Sequence, residues 1–406
     1  MLSATAAVQS AWGFLRRNVA RIQPADALIF IVGLALAVAI RVPLLSFRSS
    51  DFFNSLRPWY ATIREMGFSA FGTDFTTYNP PYLYELYAIA RFFPGVANVL
   101  AIKIPSLIAD FIGAYFVYKI VGLKYPQGSF PMIAAFAFLF APTVVLNSAF
   151  WGQADVLFTA PLIACLYFLM IRRNNLAFIA FGISLAFKLQ AIFLTPLLLG
   201  LWLRGSVSWK HFLWVPGVLF LAIVPSWIAG RPLVDLILVY AGQVKQYQLL
   251  QMSAPTVYTW MPDVGLTQRF FTLTGVIFTA TLGFLFALLI YKSQAPLSVP
   301  LLLKLALVCV LFMPFFLPKM HDRYFYPADV IAILYAFFFP QYFFVPVVII
   351  TASFFAYQPT LFETETVPMG ILAAGMFTML LVVARDAIRD LFSGATHVDA
   401  VQTAVE

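Results

Sequence analysis

Apolar runs long enough to cross a bilayer alternate with polar breaks along nearly the whole chain. The first run is 27–45, and further ones lie at 102–121, 130–146, 156–171, 212–228, 271–290, 301–317, 325–340, 342–356 and 367–384. The first long break, 46–98, opens with Asp51 just beyond the first run. From Asp51 to Met66 its aromatics and charges are spaced with helical period, which predicts an amphipathic helix in the plane of the interface. Gly72 to Tyr87 is rich in tyrosine, and its Pro80-Pro81 pair forbids a continuous helix through that point, so it reads as a re-entry into the membrane edge. A second break, 231–268, is amphipathic at first and then carries Pro255, Tyr258, Trp260, Met261 and Pro262, a composition suited to covering a site.

Residues 176–203 disturb the alternation. A single straight span there would put Arg204, Lys210 and His211 on the side that basic residues avoid, with Lys188 and Gln190 stranded at depth. Two short segments dipping in from the cytoplasm and returning remove both difficulties, provided the Lys188–Gln190 tip faces a protein-lined cavity. The pattern as a whole predicts an all-α, polytopic transmembrane helical bundle of about 11 to 13 membrane segments. It occupies 25–385, between an amphipathic cytoplasmic tail at 1–24 and a polar one at 386–406, with interfacial helices in the 46–98 loop.

Composition agrees. The chain is 62% hydrophobic and 10% charged, where soluble domains carry about 25% charged residues. The net charge of +8 comes from Lys and Arg clustered between apolar runs, where they orient helices against an anionic leaflet, so a nucleic-acid partner is not expected. Cys165 and Cys309 lie inside apolar runs and read as packing residues. Ala37 and Ala39 offer a small-x-small step like that of a signal peptide, but cleavage there would remove the helix that holds Asp51.

Four polar clusters fall at the same expected ends of spans: Asp51, the Tyr78 to Glu85 segment, Trp151-Gly-Gln-Ala-Asp155, and Lys319 with His321-Asp322-Arg323. Lys188 and Gln190 point the same way if the hairpin holds. Ionisable residues at membrane depth are costly, which makes such a gathering a candidate site. A carboxylate can take a hydroxyl proton as general base, and cations can stabilise charge growing on a departing phosphate, so the set suits sugar transfer from a lipid phosphate to a hydroxyl. Arg323 can grip phosphate oxygens in bidentate fashion, while Lys319 and Lys188 act as point charges. Asp74 is a reserve base. Asp155 can either cap the following helix or bind an acceptor hydroxyl, His321 can hydrogen-bond locally or touch phosphate, and Lys188 needs a partner, for which Asp110 is one candidate.

Ser50-Asp51-Phe52, Tyr78-Asn79-Pro-Pro-Tyr82, Trp151-Gly-Gln153-Ala-Asp155, Phe187-Lys188-Leu-Gln190 and His321-Asp322-Arg323-Tyr324 resemble, in that order, motifs of the GT-C superfamily of integral membrane glycosyltransferases. The closest likeness is to polyprenyl- or dolichyl-phosphate-sugar-dependent mannosyl- and glucosyltransferases, including relatives of the second mannosyltransferase of GPI-anchor synthesis. The resemblance implies a GT-C bundle with Asp51 as general base in an inverting displacement. It implies a donor phosphate held by Arg323, Lys319, His321 and Lys188, and substrate contacts from Tyr78, Asn79, Gln153, Asp155, Gln190, Asp322 and Tyr324. The partners it implies are a polyprenyl-phosphate sugar, membrane lipids, and a glycolipid, polymer or protein acceptor. Relatives often read His-Glu-Lys or His-Glu-Arg at 321–323, and some carry two acids at 50–51. With one acid here, neither a metal nor another cofactor is expected. Compact loops point to a bacterial inner membrane with the site facing the periplasm or exterior. A transporter or flippase of lipid-linked solutes is the other class considered, but transporters commonly carry internal repeats, and none is evident.

Overall fold

The computed structural model describes residues 24–240, 242, 249–261 and 265–392. The expected tail at 1–24, save Pro24, and positions 393–406 of the other tail lie outside them. Helix α1 (Pro24–Arg41) leaves most of its surface uncovered, as a lipid-facing span should. The break after it is folded. A π-helical turn, Phe52–Leu56, leads into α2 (Arg57–Met66), which buries Tyr60 and Ile63 and exposes Arg57, Arg64 and Glu65. The amphipathic helix expected at 51–66 is therefore present. Helix α3 (Pro80–Phe92) begins on the proline pair, where a missing N–H costs nothing.

Next come α4 (Asn98–Lys124), α5 (Phe130–Phe140) and α6 (Pro142–Val145), with a 54° bend between α5 and the segment from Pro142 to Trp151. Helices α7 (Asp155–Met170) and α8 (Asn174–Phe187) pack side by side. At Lys188 the backbone becomes extended, and a 3-10 turn, Leu189–Leu194, leads into α9 (Thr195–Leu203). Asn174 Nδ2, at the start of α8, donates to the Ser206 carbonyl just past α9 at 3.4 Å. The chain has thus returned to the level it left, and 174–206 is a hairpin with Lys188 at its tip. Its arms pack on different neighbours, α8 on α7 and α11, α9 on α13.

Helices α10 (Trp209–Phe212), α11 (Trp214–Ile228) and α12 (Leu233–Ile237) precede the second break. There β1 (Gln251–Met252) pairs in parallel with β2 (Met320–His321). Helices α13 (Gly265–Lys292) and α14 (Val299–Phe316) lie between these two strands in sequence. Helices α15 (Tyr326–Phe338), α16 (Phe344–Ala356), α17 (Gln358–Phe362) and α18 (Met369–Phe392) close the chain. The core runs along α7, α14 and α15, apolar on every side and enclosed by other helices. Cys165 and Cys309 are buried in it as unpaired thiols.

Among the described residues seven helices are long and apolar enough to cross a membrane. Counting the bent pair as one span makes up to eight, and four shorter apolar helices, Asp155–Met170, Asn174–Phe187, Leu189–Leu203 and Tyr326–Phe338, lie among them. Helix α18 continues past 385, where the membrane domain was expected to end. Asp386 explains the extension: it is buried, paired with Lys304 at 2.8 Å, and accepts from the hydroxyls of Tyr335 and Tyr342 at 2.7 and 3.2 Å.

Candidate active site

Asp51 leaves the first span in a loop fastened by its neighbours. Lys103, buried on α4, donates from Nζ to the carbonyls of Leu44, Leu45 and Phe47 at 3.1, 3.2 and 2.9 Å. Phe47 stacks on Phe150 with ring centroids 3.6 Å apart, and Ser49 Oγ donates to the Trp151 carbonyl at 3.4 Å. These contacts set Asp51 against the Trp151-Gly-Gln153 turn. Trp151 Nε1 donates to Asp51 Oδ2 at 2.9 Å, and Gln153 Nε2 donates to the same oxygen at 2.5 Å. Among the described residues no hydrogen bond reaches Oδ1.

The turn depends on Gly152, whose φ of +81° is left-handed and whose added Cβ would stand 3.3 Å from Lys103 Cγ. Gly152→Ala is expected to lower stability by about 1–2 kcal/mol, seen as a lower unfolding midpoint in detergent. An unchanged midpoint would show that the turn tolerates a side chain.

Trp151 joins the two halves of the site. Its ring edge holds Asp51, and the Arg323 guanidinium lies over its face, Cζ 5.2 Å from the centroid. Arg323 sits in the turn between α14 and α15, facing Asp155 Oδ2 from Nε and Asp322 Oδ1 from Nη1, each at 3.4 Å. Nε faces Asp155 as an ion pair but makes no hydrogen bond among the described residues. Lys188 Nζ donates to Asp155 Oδ1 and lies over the rings of Phe158 and Tyr324 at 5.6 and 5.1 Å.

Two expectations are corrected here. Asp155 neither caps α7 nor presents an oxygen to an acceptor: it is fully buried, with Lys188 on one oxygen and Asn147 Nδ2, at 2.8 Å, and Arg323 on the other. Asp110 is not the partner of Lys188. It pairs with Arg41 at 2.9 Å and accepts from Ser148 Oγ at 2.6 Å. Asp74, the reserve base, is exposed and bound to Arg231 at 2.5 Å, an ion pair apart from the Trp151 turn.

Asp322 is buried and accepts from Thr360 Oγ1 at 2.5 Å and from the Arg323 backbone N–H at 2.9 Å. It therefore holds Arg323 in place without facing the cavity. Burial pushes its carboxyl up to about 6, outweighing the opposing pull of Arg323 and Thr360. Burial, reinforced by Arg323 and Lys188, pushes the His321 imidazole down to about 2, so it meets any ligand as a neutral ring.

Beside these residues opens a cavity of about 260 Å³. Lys319, Lys188, Arg323, Gln190, Tyr78 and Tyr324 give it a polar side, and Phe187, Leu189, Ile192, Phe193, Val276 and Leu317 an apolar one. Lys319 reaches its position through a left-handed backbone, φ +63°, with its N–H donating to the Leu250 carbonyl at 2.6 Å. The β1–β2 pairing thus docks part of the second break against the basic turn. Asn79 lies elsewhere. Its amide bonds the Ala186 carbonyl at 2.9 Å and the Tyr240 hydroxyl at 2.5 Å, lining a second cavity between α11 and α12. Sequence reasoning missed Lys103, Arg41 and Thr360, although a basic residue at either end of a span invites a search for a buried partner.

The helical membrane bundle resembles the GT-C fold of ArnT. Among solved structures, ArnT from Cupriavidus metallidurans bound to undecaprenyl phosphate matches with a TM-score of 0.53 and 14% identity, covering 89% of this chain and 77% of that one. ArnT from the same organism in the apo state matches with a TM-score of 0.47 and 15% identity, covering 90% and 78%. No protein-family model and no curated protein matches the sequence.

Proposed function

We propose that the protein is a membrane glycosyltransferase that moves a hexose from a polyprenyl-phosphate sugar to an acceptor hydroxyl with inversion, Asp51 acting as general base. One observation carries this reading. Asp51 has one oxygen pinned by Trp151 and Gln153 and the other unbonded, while the same indole bears a cation that lines a half-apolar cavity. The undecaprenyl phosphate of the ArnT structure supports a polyprenyl-phosphate donor here, and the motif likeness favours mannose as the hexose.

In the step, the acceptor hydroxyl gives its proton to Asp51 Oδ1 and its oxygen bonds to the anomeric carbon. The bond from that carbon to the phosphate oxygen breaks, and the charge gathering on the lipid phosphate falls to Arg323, Lys319 and Lys188. His321 adds a neutral hydrogen bond at most. The apolar wall of the cavity takes the first units of the polyprenyl chain. Acceptors of the expected class are a glycolipid, a polymer or a protein, reached from the periplasmic side of a bacterial inner membrane.

The test supplies the protein, reconstituted in vesicles, with radiolabelled polyprenyl-phosphate mannose and a membrane lipid extract. A new labelled glycolipid or glycoprotein is expected. Label that crosses the vesicle without forming a product would point to transport and end the enzyme reading.

The ionisation of Asp322 gives a second expectation. Because its carboxyl sits near 6, transfer should fall as the pH drops through that value and Arg323 loses a charged partner. Stability runs the other way. A carboxyl raised above its unfolded value of about 4 contributes most below that value, and the contribution is lost as pH rises through about 6. Asp322→Asn should flatten the acidic limb of the rate profile; a limb unmoved by the change would assign it to another group.

A further inference from the structure

At the feet of the hairpin, about 21 Å along α8 from Lys188 at 1.5 Å per residue, lies a third cavity of about 310 Å³. Arg172 and Asn174 line it from one foot, Arg204 and Ser206 from the other, with Leu201 and Leu302 beneath. Arg172 occupies the turn between α7 and α8 with a left-handed φ of +57°. Arg204 ends α9, and its Nη2 donates to the Ala295 carbonyl.

The chemistry of this cavity is incomplete. Arg204 Nη1 is buried and makes no hydrogen bond among the described residues. No carboxylate pairs with Arg172 or Arg204 among them either, although Lys188 and Arg323 of the active site each have one. A buried donor left unmatched is costly, and water would satisfy the hydrogen bond without meeting the charge. Two guanidiniums beside an amide and a hydroxyl are the donor set that a phosphate group matches, each arginine able to present paired N–H groups.

We propose that this cavity binds a phosphate group, carried either by an anionic lipid headgroup or by free phosphate, and shared between Arg172 on one foot of the hairpin and Arg204 on the other. The apolar floor and the place at the ends of α7, α8 and α9 suit a headgroup whose chains lie along the bundle. The site is separate from the transfer chemistry, so its test uses no activity measurement.

Full-length protein is equilibrated with mixed phosphatidylglycerol and phosphatidylcholine, and retained lipids are counted by native mass spectrometry, with and without millimolar inorganic phosphate. The wild type should retain phosphatidylglycerol over phosphatidylcholine by about tenfold, and Arg172→Gln with Arg204→Gln should remove the preference. Retention that resists inorganic phosphate assigns the site to the headgroup. Phosphate that displaces the lipid, or that alone raises the unfolding midpoint of wild type but not of the double variant, assigns it to free phosphate. If the double variant does not fold, Arg172→Gln alone, at an exposed position, should weaken retention by about threefold. Equal retention of the two lipids with no effect of phosphate, or a variant that binds as the wild type does, overturns the proposal.

Discussion

Asp51→Asn is expected to lower the transfer rate by about 10²–10⁴-fold while leaving the fold as it is. The replacement is nearly isosteric, and an asparagine carbonyl in the place of Oδ2 still accepts from Trp151 and Gln153. What disappears is the basic oxygen that no other group contacts. The loss should therefore fall on turnover and spare donor saturation, because Asp51 is not among the residues that line the cavity that would hold the donor. Comparable turnover in the variant would remove Asp51 from the base role.

Arg323→Ala should act first on the fold. Removing one member of a buried ion pair costs about 3–5 kcal/mol, and here two buried carboxylates, Asp155 and Asp322, lose a shared cation. Arg323→Lys separates that effect from function. It keeps the charge between the two acids but loses the planar fork and much of the stacking on Trp151. The variant should retain most of its unfolding midpoint and show weaker donor saturation. A lysine variant that uses donor as well as the wild type would contradict the phosphate role of Arg323.

The sequence carried the depth of each polar group well and its azimuth poorly. Asp51, the Trp151 to Asp155 motif and the turn at 319–323 were placed at one level by the lengths of the apolar runs between them, and the structure brings them together through Trp151. The hairpin at 176–203 was legible because a straight span would strand Arg204, and the clasp between Asn174 and Ser206 agrees. Pairings between helices were not legible. Asp110 was the partner offered for Lys188, and the packing of α4 and α7 instead turns Asp110 to Arg41 and gives Lys188 to Asp155. Lys103 looked like an ordinary basic residue, since its partners are three backbone carbonyls that no side-chain pattern reveals.

The charged side chains assigned to the proposed step cancel in number: Lys188, Arg323 and Lys319 against Asp155, Asp322 and Asp51. In the proposed reaction a singly charged phosphodiester enters this neutral setting, and a phosphate monoester carrying up to two charges leaves it. While Asp51 keeps the acceptor's proton, the protein around that product carries one net positive charge and retains it. Once Asp51 gives the proton to solvent the surroundings are neutral again, so product escape and renewal of the base are linked by electrostatics.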